Sequence, residues 1–523
     1  MPYLLLGLDI GSSFVKATLV EADRGVPLAR ASAPRVEMPI ASPQPGWAEQ
    51  DPEDWWHSVV ETTREVVRRA GIGGSSVAAI GLSYQMHGLV VVDRRQRVLR
   101  PAIIWCDGRA VDIGRRAFDL FGHETCLAHL LNSPGNFTAS RLRWVKEHEP
   151  DQFASIDKAM LPGDYVAMRL TGRVATTASG LSEAVLWDFL ERHLSDDVLE
   201  ALDLSPSLVP ELVPTFGEQG VLTPAAAEEL GLPAGTPLTF RAGDQPANAF
   251  ALNVLDPGEA AATAGTSGVV YGIGASPAWD VRSRVNTFLH VTDRPDAPRY
   301  GVLLCVNGSG SLYSWLKRTM AQGLSYEEMD RLALQAPIGS DGLVVLPYGN
   351  GAERTLENAD PGGAALGLAF NRHSTAHLLR AAQEGIVFAL NYGLDVMRGM
   401  GIAVTAVRAG HANLFLSDLF SRAFADTSGA VVELMATDGA EGAARAAGVG
   451  AGIFTTVRES LAGLRVRARF EPDPATASQY RAAYERWLDG LSSVTGQASS
   501  SNRRSPFSAR MPAASCTTSS VPR

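Results

Sequence analysis

The chain has 523 residues, too many for one hydrophobic core, so at least two domains are expected. Its 46% hydrophobic and 20% charged residues are those of a globular protein, and a net charge of −10 excludes the basic surface that nucleic acid or an anionic membrane would need. No apolar run reaches the length of a membrane span, the start MPYLLLGLD lacks the basic region of a signal peptide, and Cys106, Cys126, Cys305 and Cys516 form no CxxC pair, so a reducing, cytoplasmic setting without zinc is expected.

The first element is LLLGLDIGSSFVKATLV, from Leu4 to Val20. An apolar run ends at Asp9, breaks at Gly11-Ser12-Ser13 and resumes, which predicts a hairpin. A glycine turn with two hydroxyls brings backbone N–H groups close to an oxyanion, and Asp9 beside it suits a hydrated Mg²⁺. An ordinary hairpin with a solvent-facing acid has the same pattern. GWAEQDPEDWW leads into a helix, capped by Asp51 or Asp54, that runs to about Arg69.

Val77–Ser83 reads as a buried strand followed directly by Tyr84-Gln85-Met86-His87-Gly88, and Leu89–Asp93 as another. His87 therefore stands at a strand end, where α/β folds bind ligands, although a lone histidine is more often structural. The strand Ala102–Trp105 ends in Cys106-Asp107-Gly108-Arg109, again polar groups at a strand end. Arg141–Lys146 and Asp164–Leu170 read as helical pieces whose polar residues suit a solvated face as well as a site.

Short segments bounded by proline and glycine from Gly217 to Pro237 approach a domain boundary. LTFRAGDQPANAF then gives a strand, a Gly-Asp turn and a helix start. Near that helix N-terminus Asp244 is expected to stay ionised, as it would also be as a plain N-cap. GEAAATAGTSGVVY repeats the opening pattern, so that the two halves present two hydroxyl-bearing glycine turns with an acid between them, like the jaws of a phosphate clamp. Asn307-Gly308-Ser309-Gly310-Ser311 opens a further helix, whose start suits an anion or is simply capped. Ser374–Met400 is a long core helix, Val407–Leu414 a strand leaving through Gly-His-Ala-Asn, and Ala436–Phe454 close-packing material for a final core helix. Gln479–Leu491 is a last amphipathic helix. From 492 to 523 no acid occurs and almost nothing can be buried, which predicts a disordered tail or an out-of-frame ending.

Asp9-Ile10-Gly11-Ser12-Ser13, Gln85-Met86-His87-Gly88, Trp105-Cys106-Asp107-Gly108-Arg109, Gly243-Asp244 and Gly265-Thr266-Ser267-Gly268 together resemble the FGGY carbohydrate kinases, in order and along nearly the whole chain. GWAEQDPEDWW and the run from Glu441 to Gly452 look like that family as well. The resemblance implies an α/β fold of two actin-like, ribonuclease-H-like domains, with ATP and a sugar meeting in the cleft between them. The division is expected as residues 1–240 (sugar-binding), 241–491 (nucleotide-binding) and the tail 492–523. It makes Asp244 the catalytic base and gives the sugar to Met86, His87, Asp244 and Gln245. Cofactor contacts fall to Gly11, Ser12, Ser13, Lys16, Gly265, Thr266, Gly310, Gly410 and Asn413, and Mg²⁺ to Asp9 and Asp244.

Glycerol kinases carry Arg-Glu where this chain has Met86-His87, so the acceptor implied is xylulose. Another sugar or polyol such as ribulose or gluconate stays open, as do a non-catalytic sugar sensor and a homodimer. Three positions depart from the family pattern. The adenosine motif, usually glycine-rich, is Ala409-Gly410-His411-Ala412-Asn413; Gln245 stands where Asn is common after the base; and Cys106 replaces the usual Asn. No Walker A lysine motif, dinucleotide GxGxxG or protein-kinase HRD–DFG pair occurs.

Overall fold

The computed structural model of the chain describes residues 3–71, 76–357 and 359–496. Two large mixed sheets organise them. In the first, Leu4–Ile10 and Val15–Glu21 form the expected hairpin and Val26–Ala33 adds an antiparallel edge. On the other side Val77–Tyr84 and Pro237–Gly243 run parallel to Leu4–Ile10, and Phe216–Val221 closes the sheet antiparallel. The second sheet repeats this plan. Glu259–Ala264 pairs antiparallel with Gly268–Gly274, which pairs with Tyr300–Val306. Ala406–Gly410 and Val431–Met435 lie parallel on the other side, with Val466–Phe470 antiparallel at the edge. One extra strand, Asn286–Leu289, extends the far side. This is a two-domain α/β fold with a mixed sheet in each half.

Helix Pro52–Ala70 is capped by Asp51, whose side chain accepts from Glu53 N–H, and buries Trp55, Trp56, Val59 and Val66 against the first sheet. Thr375–Gly399 buries Leu379, Ile386, Leu390, Leu394 and Met397 against the second. Helix Gly439–Gly450, read from sequence as core material of the second half, instead lies across the first sheet, on Leu4–Ile10, Val77–Tyr84 and Pro237–Gly243. Its backbone touches theirs. A Cβ on Gly7 would meet the Ala440 carbonyl at 1.8 Å, and one on Gly81 the Ala443 carbonyl at 2.1 Å. Only glycine admits that approach. Leu5, Ala79, Phe240, Phe250, Ala443 and Ala447 form the apolar layer between them.

The division expected at 240/241 falls inside strand Pro237–Gly243, which pairs with the first sheet to its end. The chain crosses through helix Asp244–Ala251, and the second sheet begins at Glu259. The last helix is Pro474–Thr495, not ending at Leu491, so the start of the expected tail is helical. Residues 497–523, and Cys516 with them, lie outside the described residues.

Candidate active site

The parallel strands of the first sheet end side by side, and their ends carry the site. Asp9 lies in register with Ser83 on one side and Lys16 on the other. Ser83 Oγ–H donates to Asp9 Oδ1 at 2.9 Å. Burial raises the Asp9 carboxyl above its ordinary range, Lys16 and Ser83 counter it, and Asp438 adds to the rise.

Asp244 begins the helix that leaves the next strand. Its helix cap is Gly243, so the carboxyl is not engaged as an N-cap. Burial first, then the charge of Asp9, push it up to about 7, against hydrogen bonding from Gln245. Removal from water therefore works against the ionised state expected from the helix N-terminus.

Met86 and His87 follow the central strand. Met86 is buried against Gly243, where a Cβ would meet Met86 Cγ at 2.6 Å. His87 has φ 62°, the left-handed region that a residue with a Cβ rarely adopts, and such outliers collect at functional sites. Its Nδ1 lies 2.9 Å from the Glu183 carbonyl, which fixes Nδ1–H as donor and leaves Nε2 as acceptor. Phe137 meets the ring edge-on at 4.8 Å, and Phe288, from the second sheet, lies at 5.3 Å. Burial pushes the imidazole down to about 3, with Arg141 and Arg354 adding to the fall, so it is neutral at working pH.

The first turn is pre-shaped: Gly11 N–H donates to the Phe14 carbonyl at 3.0 Å. Trp105 Nε1–H reaches Ser12 Oγ at 3.4 Å, Ser13 is half-buried, and Lys16 is exposed. The second turn rests on the helix Gly310–Thr319. Gly310 N–H donates to the Gly265 carbonyl at 2.7 Å and Ser311 N–H to Thr266 at 3.1 Å. Those amides, which the sequence offers to an anion, are engaged by the turn; Gly310 is needed because a Cβ would lie 2.4 Å from the Gly265 oxygen. Asn413, at φ 56°, brings Nδ2 within 3.4 Å of a Cβ position on Gly265. Gly410 ends its strand beside the Thr437 carbonyl, two residues before the helix that faces Asp9. The structure thus brings Gly265, Gly310, Gly410 and Asn413 to one edge of the second sheet, and Asp9, the first turn, Met86, His87 and Asp244 to one edge of the first.

Sequence reasoning missed several supporting residues. Gln50 Nε2–H donates to the Ser12 carbonyl at 2.6 Å, while its Oε1 accepts from Trp55 Nε1 at 3.1 Å and Gln85 Nε2 at 3.4 Å. Arg141, in a helical piece that suited a solvated face as well as a site, is fully buried and donates to the carbonyls of His87, Trp105 (2.8 Å) and Asp107 (3.2 Å). Asp107 and Arg109 pair with each other, and Arg109 lies 3.8 Å above the Trp47 ring; they brace the wall. Glu183 had no motif to announce it, only an acid within an apolar stretch. No group of three or more His, Cys, Asp or Glu side chains suited to a metal occurs among the described residues, and none of their helices is long and apolar enough to cross a membrane.

Residues 4–251 match the FGGY family of carbohydrate kinases, N-terminal domain, and residues 260–451 the C-terminal domain of the same family. The chain is 31% identical over 490 residues to a xylulose kinase of Escherichia coli (strain K12), covering 92% of this chain and 96% of that protein. Among solved structures, a xylulose kinase from Rhodospirillum rubrum superposes with a TM-score of 0.84 at 29% identity, covering 94% and 99% of the two chains. A gluconate kinase from Lactobacillus acidophilus superposes with a TM-score of 0.86 at 21% identity, covering 95% and 99%.

Proposed function

The chain belongs to the FGGY family of carbohydrate kinases, phosphotransferases whose acceptor is an alcohol group, and from that premise we propose that it transfers the γ-phosphoryl group of ATP to D-xylulose, giving ADP and D-xylulose 5-phosphate, with Asp244 as general base. What supports this reading most is the position of Asp244, directly after Gly243, which packs against Met86, with burial pushing its carboxyl up to about 7. A base near neutrality can both take a proton and release it.

In this reading the acceptor lies on Met86 and His87, and Nε2 of the neutral imidazole accepts a hydrogen bond from a sugar hydroxyl. The hydroxyl that attacks passes its proton to Asp244. Gln245, already hydrogen-bonded to that carboxyl, keeps it oriented. The turns at Gly11–Ser13 and Gly265–Thr266, with Lys16, Gly310, Gly410 and Asn413, hold ATP, since phosphoryl transfer depends on positioning and neutralised charge. Phe137 and Phe288 keep water from the acceptor side, which matters because water competes as acceptor.

Asp9 and Asp244 are the residues that would hold Mg²⁺. They fit: Mg²⁺ takes one or two carboxylates and fills its shell with water and phosphate oxygens, and here two acids at the ends of the strands flanking Val77–Tyr84 each carry a raised pKa that a cation relieves. A bound Mg²⁺ supplies charge neutralisation of the phosphate oxygens.

Support for xylulose over other acceptors comes from relatives near 30% identity that carry that name along most of the chain. The gluconate kinase supports only the fold, at 21% identity. ADP release measured over xylulose, ribulose, gluconate and glycerol tests the reading. Turnover of gluconate well above xylulose would replace the acceptor, and no turnover of any sugar would remove the activity.

A further inference from the structure

Glu183 ends the helix Ala178–Glu183 directly behind the acceptor site, and the proposed chemistry leaves its carboxyl without a task. The residue is 1% exposed, and neither carboxyl oxygen has a hydrogen-bond partner. The Tyr84 hydroxyl lies close enough to favour its ionised form without a well-formed hydrogen bond, while burial, Asp244 and Asp164 hold the carboxyl well above the usual carboxylate range. A buried acid with nothing to bond costs stability, and the cost calls for a reason.

Its position supplies one. A Cβ on Gly243 would meet Glu183 Oε2 at 2.3 Å and Met86 Cγ at 2.6 Å, so the carboxyl stands at the seam between Met86 and the residue before Asp244. The glycine lets both side chains pack directly against its backbone. The main-chain carbonyl of the same residue fixes the His87 tautomer. One residue therefore reaches the sugar-facing pair through its backbone and the seam beside the base through its side chain.

We propose that Glu183 is a further acceptor-binding residue, whose carboxyl takes a hydroxyl of the bound sugar at the Met86–Gly243 seam. The proposal rests on the sugar-kinase reading. A carboxyl offers two oxygens to hydrogen bonds, which suits a polyol with neighbouring hydroxyls.

The test is steady-state kinetics on the full chain, beginning with the wild type over the sugar panel to identify its acceptor. Glu183→Met keeps the volume and removes both hydrogen-bonding oxygens. The expected result is a rise in acceptor KM of about tenfold or more, since a buried hydrogen bond is lost. KM for ATP should stay within about twofold, and Tm should be equal to or above wild type, because an unpaired acid has left the interior. Glu183→Gln, which still donates and accepts, should recover most of the acceptor affinity. Should Glu183→Met not fold, Glu183→Ala replaces it with the same expectation for the two KM values. An acceptor KM within twofold of wild type, or equal rises in both KM values, overturns the proposal. A wild type that phosphorylates no sugar instead removes the functional reading on which it rests, a result visible before any variant is made.

Discussion

The Asp9 carboxylate sits on the first residue of helix Gly439–Gly450: a Cβ on Gly439 would lie 3.0 Å from Asp9 Oδ2 and 3.1 Å from its Cγ. The acid is thus placed against a helix N-terminus, a favourable field for its charge, by a residue with no side chain to push it away. Gly439→Ala is expected to displace the carboxylate by a few tenths of an ångström. Alanine suits a helix better, so Tm should hold or rise slightly. Turnover should fall by about tenfold, because small misplacements of catalytic groups are costly. An unchanged kcat would mean that the position of Asp9 is not critical.

Asp244→Asn keeps size and most hydrogen bonding but cannot take a proton. General-base catalysis contributes ~10²–10⁴-fold, so kcat should drop by about that much while ATP and sugar binding persist. Turnover within a few-fold of wild type would exclude Asp244 as the base.

The raised pKa of Asp244 gives a pH dependence with a definite sign. Unfolded, its carboxyl titrates near ~3.9; folded, near about 7. Between these values the folded state binds the extra proton, so this group's contribution to stability falls as pH rises and levels off above about 7. With EDTA present, Asp244→Asn should therefore gain on wild type in Tm as pH goes from acid to neutral, and show no advantage in strong acid. Activity moves the other way, rising as the base ionises. Saturating Mg²⁺ should shift the activity midpoint downward, since a neighbouring cation favours the carboxylate. A Tm difference that is flat with pH would mean that Asp244 is not perturbed.

His87→Ala should raise KM for the sugar far more than KM for ATP. His87 is pushed down to about 3 and so is neutral across the working range, and its contribution should not itself titrate between about pH 5 and 9. Equal effects on both KM values would return it to a structural role.

Arg141→Met removes the donor to the Trp105 carbonyl and one of two donors to the carbonyls of His87 and Asp107, which keep Thr138 Oγ1 and Asn136 Nδ2. One unsatisfied group costs ~1–3 kcal/mol, so a loss of about that size is expected in chemical denaturation. A loss under about 0.5 kcal/mol would show that water replaces the guanidinium.

Both glycine-turn hairpins, the long core helix and the strand ends bearing Asp9, Met86, His87 and Asp244 were legible because local patterns dictate them: period-two runs, glycine breaks, and polar residues straight after apolar strands. What escaped depends on partners far along the chain. Arg141 looks like any helical arginine until three carbonyls converge on it. Gln50 becomes a brace only when Ser12 and Gln85 fold to it. The rise in the Asp244 pKa was not legible because the helix start is local and the burial is not. Helix Gly439–Gly450 was legible as a core helix but not the sheet it covers, since small residues announce close packing without naming the surface.

That helix also sets an order of events during synthesis. Leu4–Ile10, Val77–Tyr84 and Pro237–Gly243 leave the ribosome long before Gly439, yet the groove cut by Gly7 and Gly81 is filled only when residues 439–450 have been made. At ~5–20 residues per second, the first half waits on the order of ten seconds or more with one face of its sheet bare. A fragment ending near Ala251 would never receive its lid, so chaperone dependence and aggregation should belong to the half that is made first.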